Sequence, residues 1–170
     1  MFIDESGFYL LPSVLHTWAR VGQTPIIRHK LSREHLSVIS GIGLEGELYL
    51  MVQAHSYKGP DVVKFLKQLL EQIPGKLLII WDGAPIHRCQ AVKDYLACGA
   101  AARIHLEALP PYAPELNPDE GVWRYLKRVE LRNVSCQSLS HLLAEFWMAV
   151  ERLLDKPDIL RACIQEVAYV

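Results

Sequence analysis

Residues 76–85 read Lys-Leu-Leu-Ile-Ile-Trp-Asp-Gly-Ala-Pro, an apolar run closed by an acid, a glycine and a proline. A short run with no polar alternation suits a central strand covered on both faces, the arrangement that helical crossovers impose on a sheet. In open sheets of that kind, ligands gather beyond the carboxyl ends of the strands. Asp82 stands at that place. The competing reading is a turn or helix-cap aspartate ahead of Pro85. Of the two, position favours a functional carboxylate.

The flanking patterns set the architecture. FIDESGFYLL, a stretch near HTWAR (16–20), HLSVISGIGL and ELYLMVQAHS read as strands, with Gly46 marking a tight hairpin between the last two. PDVVKFLKQLLEQIP puts Val62, Phe65, Leu66, Leu69 and Leu70 on one helical face between Pro60 and Pro74-Gly75. HRCQAVKDYLACG reads as a helix stopped by Gly99, ARIHLEAL as a strand and PPYAPELNP as a loop. A helix starts at NPDEGVW, and the remaining residues are helical with a break near Pro157. Strands followed by alternating helix and strand give an α/β fold, a mixed sheet with helices on its faces. At 170 residues the chain suits one domain with a real core.

Composition narrows the function classes. Eighteen basic against 19 acidic residues give a formal net charge of −1, which speaks against a dedicated sequence-reading DNA module. It leaves open a site that gathers carboxylates and recruits its positive charge as metal ions. Cys89, Cys98, Cys136 and Cys163 are too scattered for a zinc site or a disulfide framework. The sequence carries no secretory signal and no bilayer-length apolar run, so a cytoplasmic protein is expected.

Two further acids stand out. Asp4 interrupts the first apolar strand, and alternation puts Asp4 and Glu5 on opposite faces, unable to share a site. A strand-edge residue reaching solvent is the plainer account of Asp4. Glu120 is the third residue of a helix that Asn117 would cap and Pro118 would begin, the geometry of a capping box. Against that structural role, the prolines of PPYAPELNP hold the chain stiffly before the helix, as a catalytic group requires. Three carboxylates brought together would repel one another, and divalent cations would turn that repulsion into affinity.

Secondary candidates each carry a plain structural alternative. His87 is a phosphate- or water-contacting group, or a surface or capping residue. Arg20, Arg28, His29, Lys30 and Arg33 form a basic stretch that grips a DNA backbone or lies solvated. Arg124 is placed to pair with Glu120. Lys127 and Arg128 meet DNA or lie on a solvated helical face, and Trp123 reads as core.

FIDESGFYLLP, WDGAPIH and LPPYAPELNPDEGVWRYLKR resemble, in that order, the three signature blocks of DDE-type transposases, especially bacterial insertion-sequence enzymes allied to the mariner superfamily. TWARVGQTP is similar to the segment that follows the first block in them. The resemblance implies a ribonuclease-H-like (integrase-like) fold with a five-stranded mixed sheet flanked by helices. It makes Asp4, Asp82 and Glu120 the catalytic, metal-binding triad, with 37 residues between the last two. It implies two Mg2+ ions, replaceable by Mn2+. The implied substrate is the terminal inverted repeats of a transposon, cut and joined through the 3′-hydroxyl to target DNA, commonly at TA. A homodimer on DNA and a nucleoid-associated place in the bacterial cytosol are expected with it. Many relatives carry Asn where this chain has Gly83, so an amide contact there is not expected. Their helix-turn-helix DNA-binding segment does not lie in these residues, so a separate segment or chain is expected to supply it. Residues 1–134 are expected to form the catalytic core and 135–170 a helical extension of the same domain. The alternative is a catalytically silent or truncated remnant that only binds DNA or protein. Intact acids favour the active reading.

Overall fold

The computed structural model describes residues 1–29, 32–111 and 113–168. Strands β1 (Phe2–Tyr9), β2 (His35–Ile42), β3 (Leu48–Gln53), β4 (Leu77–Trp81) and β5 (Ile104–Ala108) form one sheet in the order β3-β2-β1-β4-β5. β2 pairs antiparallel with β1 on one side and β3 on the other, whereas β4 runs parallel to β1 and β5 parallel to β4. This is the mixed five-stranded sheet that was expected. Helix α1 (Gly59–Gln72) connects β3 to β4, and α2 (Gln90–Ala97) connects β4 to β5. Helix α3 (Pro118–Tyr125) runs into a π-helical turn at Leu126–Glu130, and α4 (Leu139–Leu154) and α5 (Pro157–Ala168) follow.

Local chemistry sets the boundaries. Gly46, at φ 92°, sits in the β2–β3 turn, which the Gly43 N–H closes onto the Glu47 carbonyl at 2.8 Å. The Asp61 carboxylate accepts the Lys58 N–H at 2.9 Å and so caps α1. Gly99 follows α2 at φ 113°, a left-handed conformation that ends a helix. Pro157 opens α5, because its ring fits the first helical position but not an interior one.

The pleat divides the core into two layers. On one face, Val62, Phe65, Leu66 and Leu69 of α1 pack with Ile3, Ile39, Ile79 and Trp81. On the other, Val122 and Trp123 of α3, Phe146 and Leu153 of α4 and Leu160 of α5 pack against Phe8, Val38 and Ile42. The C-terminal helices therefore share the core of β1 and β2.

Two expectations fail. HTWAR is not a strand: it lies in the irregular connection from β1 to β2, with Trp18 fully exposed. β1 pairs with β2 along all eight rungs and with β4 at Phe2 and Ile3, and residues 16–20 pair with none of the five strands. Nor is β4 covered on both faces. Leu77, Ile79 and Trp81 are buried, but Leu78 is 48% exposed. The layer of α3, α4 and α5 covers β1 to β3 and stops short of β4. An open shoulder remains beside the ends of β1 and β4.

Candidate active site

The parallel pairing of β1 with β4 ends at the rung Ile3–Trp81. The next residue on each strand is an aspartate, Asp4 and Asp82. Both line a cleft of about 560 Å³, together with Glu120 from the first turn of α3. Leu109, Pro110, Pro111 and Pro114 form its far wall, and among the described residues Arg88 is the one cation lining it. The proline-rich wall is anchored where the Leu109 N–H meets the Trp81 carbonyl at 2.8 Å. Sheet alternation and helix start thus bring three acids, remote in sequence, to one hollow.

Their surroundings differ. Burial pushes the Asp4 carboxyl up to about 7. The Trp123 indole N–H, donating to Oδ2 at 3.0 Å, opposes that shift, and the charges of Glu5 and Glu120 add to it. Asp82 is about half exposed (52%) and held through Oδ1, which accepts the Ala84 N–H at 2.9 Å and faces His87 Nδ1 at 2.8 Å. Glu120 projects into solvent and does not close a capping box. Asn117 caps α3 instead, its Oδ1 accepting the Asp119 N–H at 3.2 Å. The structural role that competed for Glu120 belongs to its neighbours.

The other candidates scatter. His87 is neither a surface residue nor a helix cap. Its ring is buried, stacks on Trp81 at 4.3 Å and faces Glu5 Oε1 at 2.9 Å. Burial alone would lower its pKa, but the contacts with Glu5 and Asp82 outweigh that and raise it. Lys127 is half-buried against β1, with Nζ donating to Ser6 Oγ at 2.6 Å and lying over the Phe8 ring. Burial lowers its pKa, against the pull of Glu120 and Asp4. It is therefore not on a solvated face. Arg28 and Arg128 are exposed, and the Arg28 carbonyl accepts from Ser135 Oγ at 2.6 Å. Lys30 lies outside the described residues. Arg124 pairs with Glu166 at 2.7 Å rather than with Glu120, since its side chain turns toward α5. Trp123 is core, as expected, and also holds Asp4.

Sequence reasoning missed three residues: Glu5, Arg88 and Asp119. Asp119 is fully buried, with Oδ1 accepting from the Ser40 hydroxyl and Oδ2 without a hydrogen-bond partner. Burial holds its carboxyl well above the usual range despite Ser40, and the charges of Asp4, Glu5 and Glu120 add to the effect. A signal was present. Asp119, Trp123 and Lys127 recur every fourth residue, the spacing of one helical stripe. That stripe meets Ser40, Asp4 and Ser6 in turn.

Among the described residues, no three His, Cys, Asp or Glu side chains converge into a ready-made metal cage. The cleft's donors are nonetheless hard carboxylate oxygens, the kind that magnesium and manganese take. By donor chemistry the set fits a divalent cation.

A mixed sheet in this order, with one acid on its central strand and one just past the end of the parallel strand beside it, defines the class: a ribonuclease-H-like fold. The chain belongs to the DDE superfamily endonucleases, whose family profile matches residues 1–143. Similar solved structures include the Mos1 mariner paired end complex with Mn, at TM-score 0.70 and 15% identity over 98% of this chain and 51% of that one. The same complex with Mg gives TM-score 0.70 and 17% identity over 98% and 51%. The Mos1 transposase catalytic domain with Raltegravir and Mg gives TM-score 0.63 and 12% identity over 98% and 77%. At these identities the likeness is one of fold. The chain spans about half the length of the paired-end-complex chains it matches. No curated protein matches the sequence. Among the described residues, no helix is long and apolar enough to cross a membrane.

Proposed function

We propose that this chain is the catalytic domain of a cut-and-paste DNA transposase that cleaves transposon ends and transfers the freed 3′-hydroxyl to target DNA. The observation that carries this reading is the shared cleft of Asp4, Asp82 and Glu120, on a family member with this fold. These three acids would hold the metal, Mg2+ or Mn2+, and two ions are expected. Bound there, divalent cations supply activation of the attacking oxygen and stabilisation of the leaving one.

The chain's own residues do the rest. Trp123 fixes Asp4, and Ala84 with His87 fixes Asp82, so both carboxylates are oriented before substrate arrives. The proline wall limits how a strand enters. Arg88 offers a phosphate a charge-assisted partner at the rim. The substrate is the element's terminal inverted repeats, with target DNA at TA. The chain acts as a homodimer on DNA, in the nucleoid of the bacterial cytosol, and a helix-turn-helix segment supplies recognition of the ends. Support for the paired arrangement comes from Mos1, described as a paired end complex. Residues 1–134 form the core of this unit and 135–170 its extension.

One observation favours a second reading. Acids that line a cleft without forming a cage also suit a silent remnant that binds DNA or protein. Thermal melting with Mn2+ separates the two. A ligand at a hundredfold excess over its dissociation constant stabilises by about 2.7 kcal/mol, and that gain is expected here and lost in Asp82→Asn. Equal shifts in both proteins would remove the metal site. Metal-dependent nicking of end DNA, by the chain joined to a DNA-binding segment, tests the chemistry; intact DNA would favour the remnant.

A further inference from the structure

Asp4 and Glu5 leave β1 on opposite faces, and only Asp4 reaches the cleft. Glu5 lines a different cavity, of about 250 Å³, with Ser37 and Tyr57. The two sides are nonetheless joined. The His87 side chain has no exposed surface and lies flat on Trp81, with ring planes 3° apart, so its orientation is fixed. One ring nitrogen, Nε2, faces Glu5 Oε1 at 2.9 Å. The other, Nδ1, faces Asp82 Oδ1 at 2.8 Å and the Asp82 carbonyl at 3.1 Å. The Ala84 N–H donates to the same Oδ1 at 2.9 Å, so that oxygen is turned toward the backbone and the ring. Among the described residues Asp82 Oδ2 has no such partner, and it is the oxygen left for the cleft.

We propose that Glu5, acting through the buried ring of His87, is a positioning residue that locks the Asp82 carboxylate so that one oxygen alone serves the cleft. The inference rests on the metal-binding reading above and adds a part to it. Partners of this kind, one bond removed from a metal ligand, orient it and set its affinity. The bridge also assigns a task to a carboxylate that strand alternation excludes from the site.

The test is Mn2+ affinity of the full chain by electron paramagnetic resonance, with apo-protein melting recorded alongside. Glu5→Ala is expected to weaken Mn2+ binding by about 10–100-fold. Glu5→Gln, which can still hydrogen-bond the ring, is expected to stay within about threefold of wild type, whereas Glu5→Met, of similar size but without that hydrogen bond, is expected to be as impaired as Glu5→Ala, a split that simple loss of packing does not predict. Combining Glu5→Ala with His87→Ala is expected to be no worse than His87→Ala alone, because the two act in one chain. Wild-type affinity in Glu5→Ala, whatever its melting temperature, overturns the proposal. So does a Glu5→Gln protein that is folded by circular dichroism but as impaired as Glu5→Ala. A wild-type chain that binds no Mn2+ sinks the metal reading itself, and this inference with it.

Discussion

Asp4 and Asp82 follow the same rung of neighbouring parallel strands, yet they occupy opposite regimes. Asp4 lies mostly out of water beneath Trp123, and its carboxyl is pushed up to about 7. Asp82 is half in water and held through one oxygen, by the Ala84 N–H and the nearby His87 ring. Asp4 is costly to ionise and gains much from a cation, whereas Asp82 is already oriented by its neighbours. A site built from one of each separates the strength of ion binding from its geometry.

The widest gap between the two should appear in stability against pH, measured with chelator present. Asp4 and Asp119 hold their protons more tightly folded than unfolded, so between about pH 4 and about pH 7 the native chain binds the extra protons. Stability is therefore expected to fall as pH rises through that window. Asp4→Asn should flatten the slope and add on the order of 3 kcal/mol near pH 8, allowing for Asp4's partial exposure. Asp82→Asn leaves the burial of Asp4 in place and should keep the fall through that window; matching flattened slopes in the two variants would erase the contrast. Next in size, Trp123→Phe removes the donor to Asp4 and should cost about 2 kcal/mol by denaturant midpoint while steepening the pH slope. Ser40→Ala strands both Asp119 oxygens and should cost about 1–2 kcal/mol, less at acidic pH. Smallest of all, Arg124→Ala breaks an exposed pair with Glu166 and should shift stability by under about 1 kcal/mol, with no change in the pH slope.

Much of the frame was legible because it is local. Gly46, Gly99 and Pro157 mark boundaries through backbone conformations that depend on few neighbours. The α1 stripe of Val62, Phe65, Leu66 and Leu69 shows its buried face in spacing alone. HTWAR misled because a strand needs an edge to pair with, and whether one is free is a property of the whole sheet. Leu78 misled because an apolar run reports composition, not how far the covering helices extend. In the cleft, Asp82 could be singled out by its place at a strand end, Asp4 as an acid inside an apolar strand and Glu120 by its place at a helix start. The groups that tune them could not. Glu5 and His87 are 82 residues apart and Ser40 and Asp119 are 79 apart, and no short-range pattern encodes such meetings.

The π-helical turn at Leu126–Glu130 bears on how this helix can change over evolutionary time. A residue inserted into a regular helix rotates everything after it by about 100°, which would swing the basic tail away from β1 or drag the acidic start off the cleft. Widening one turn absorbs the insertion where it occurs. Lys127 sits inside that widened turn, at the closing end of the helix, so a change of length there would be felt by the lysine's hold on Ser6 while the acidic start keeps its register.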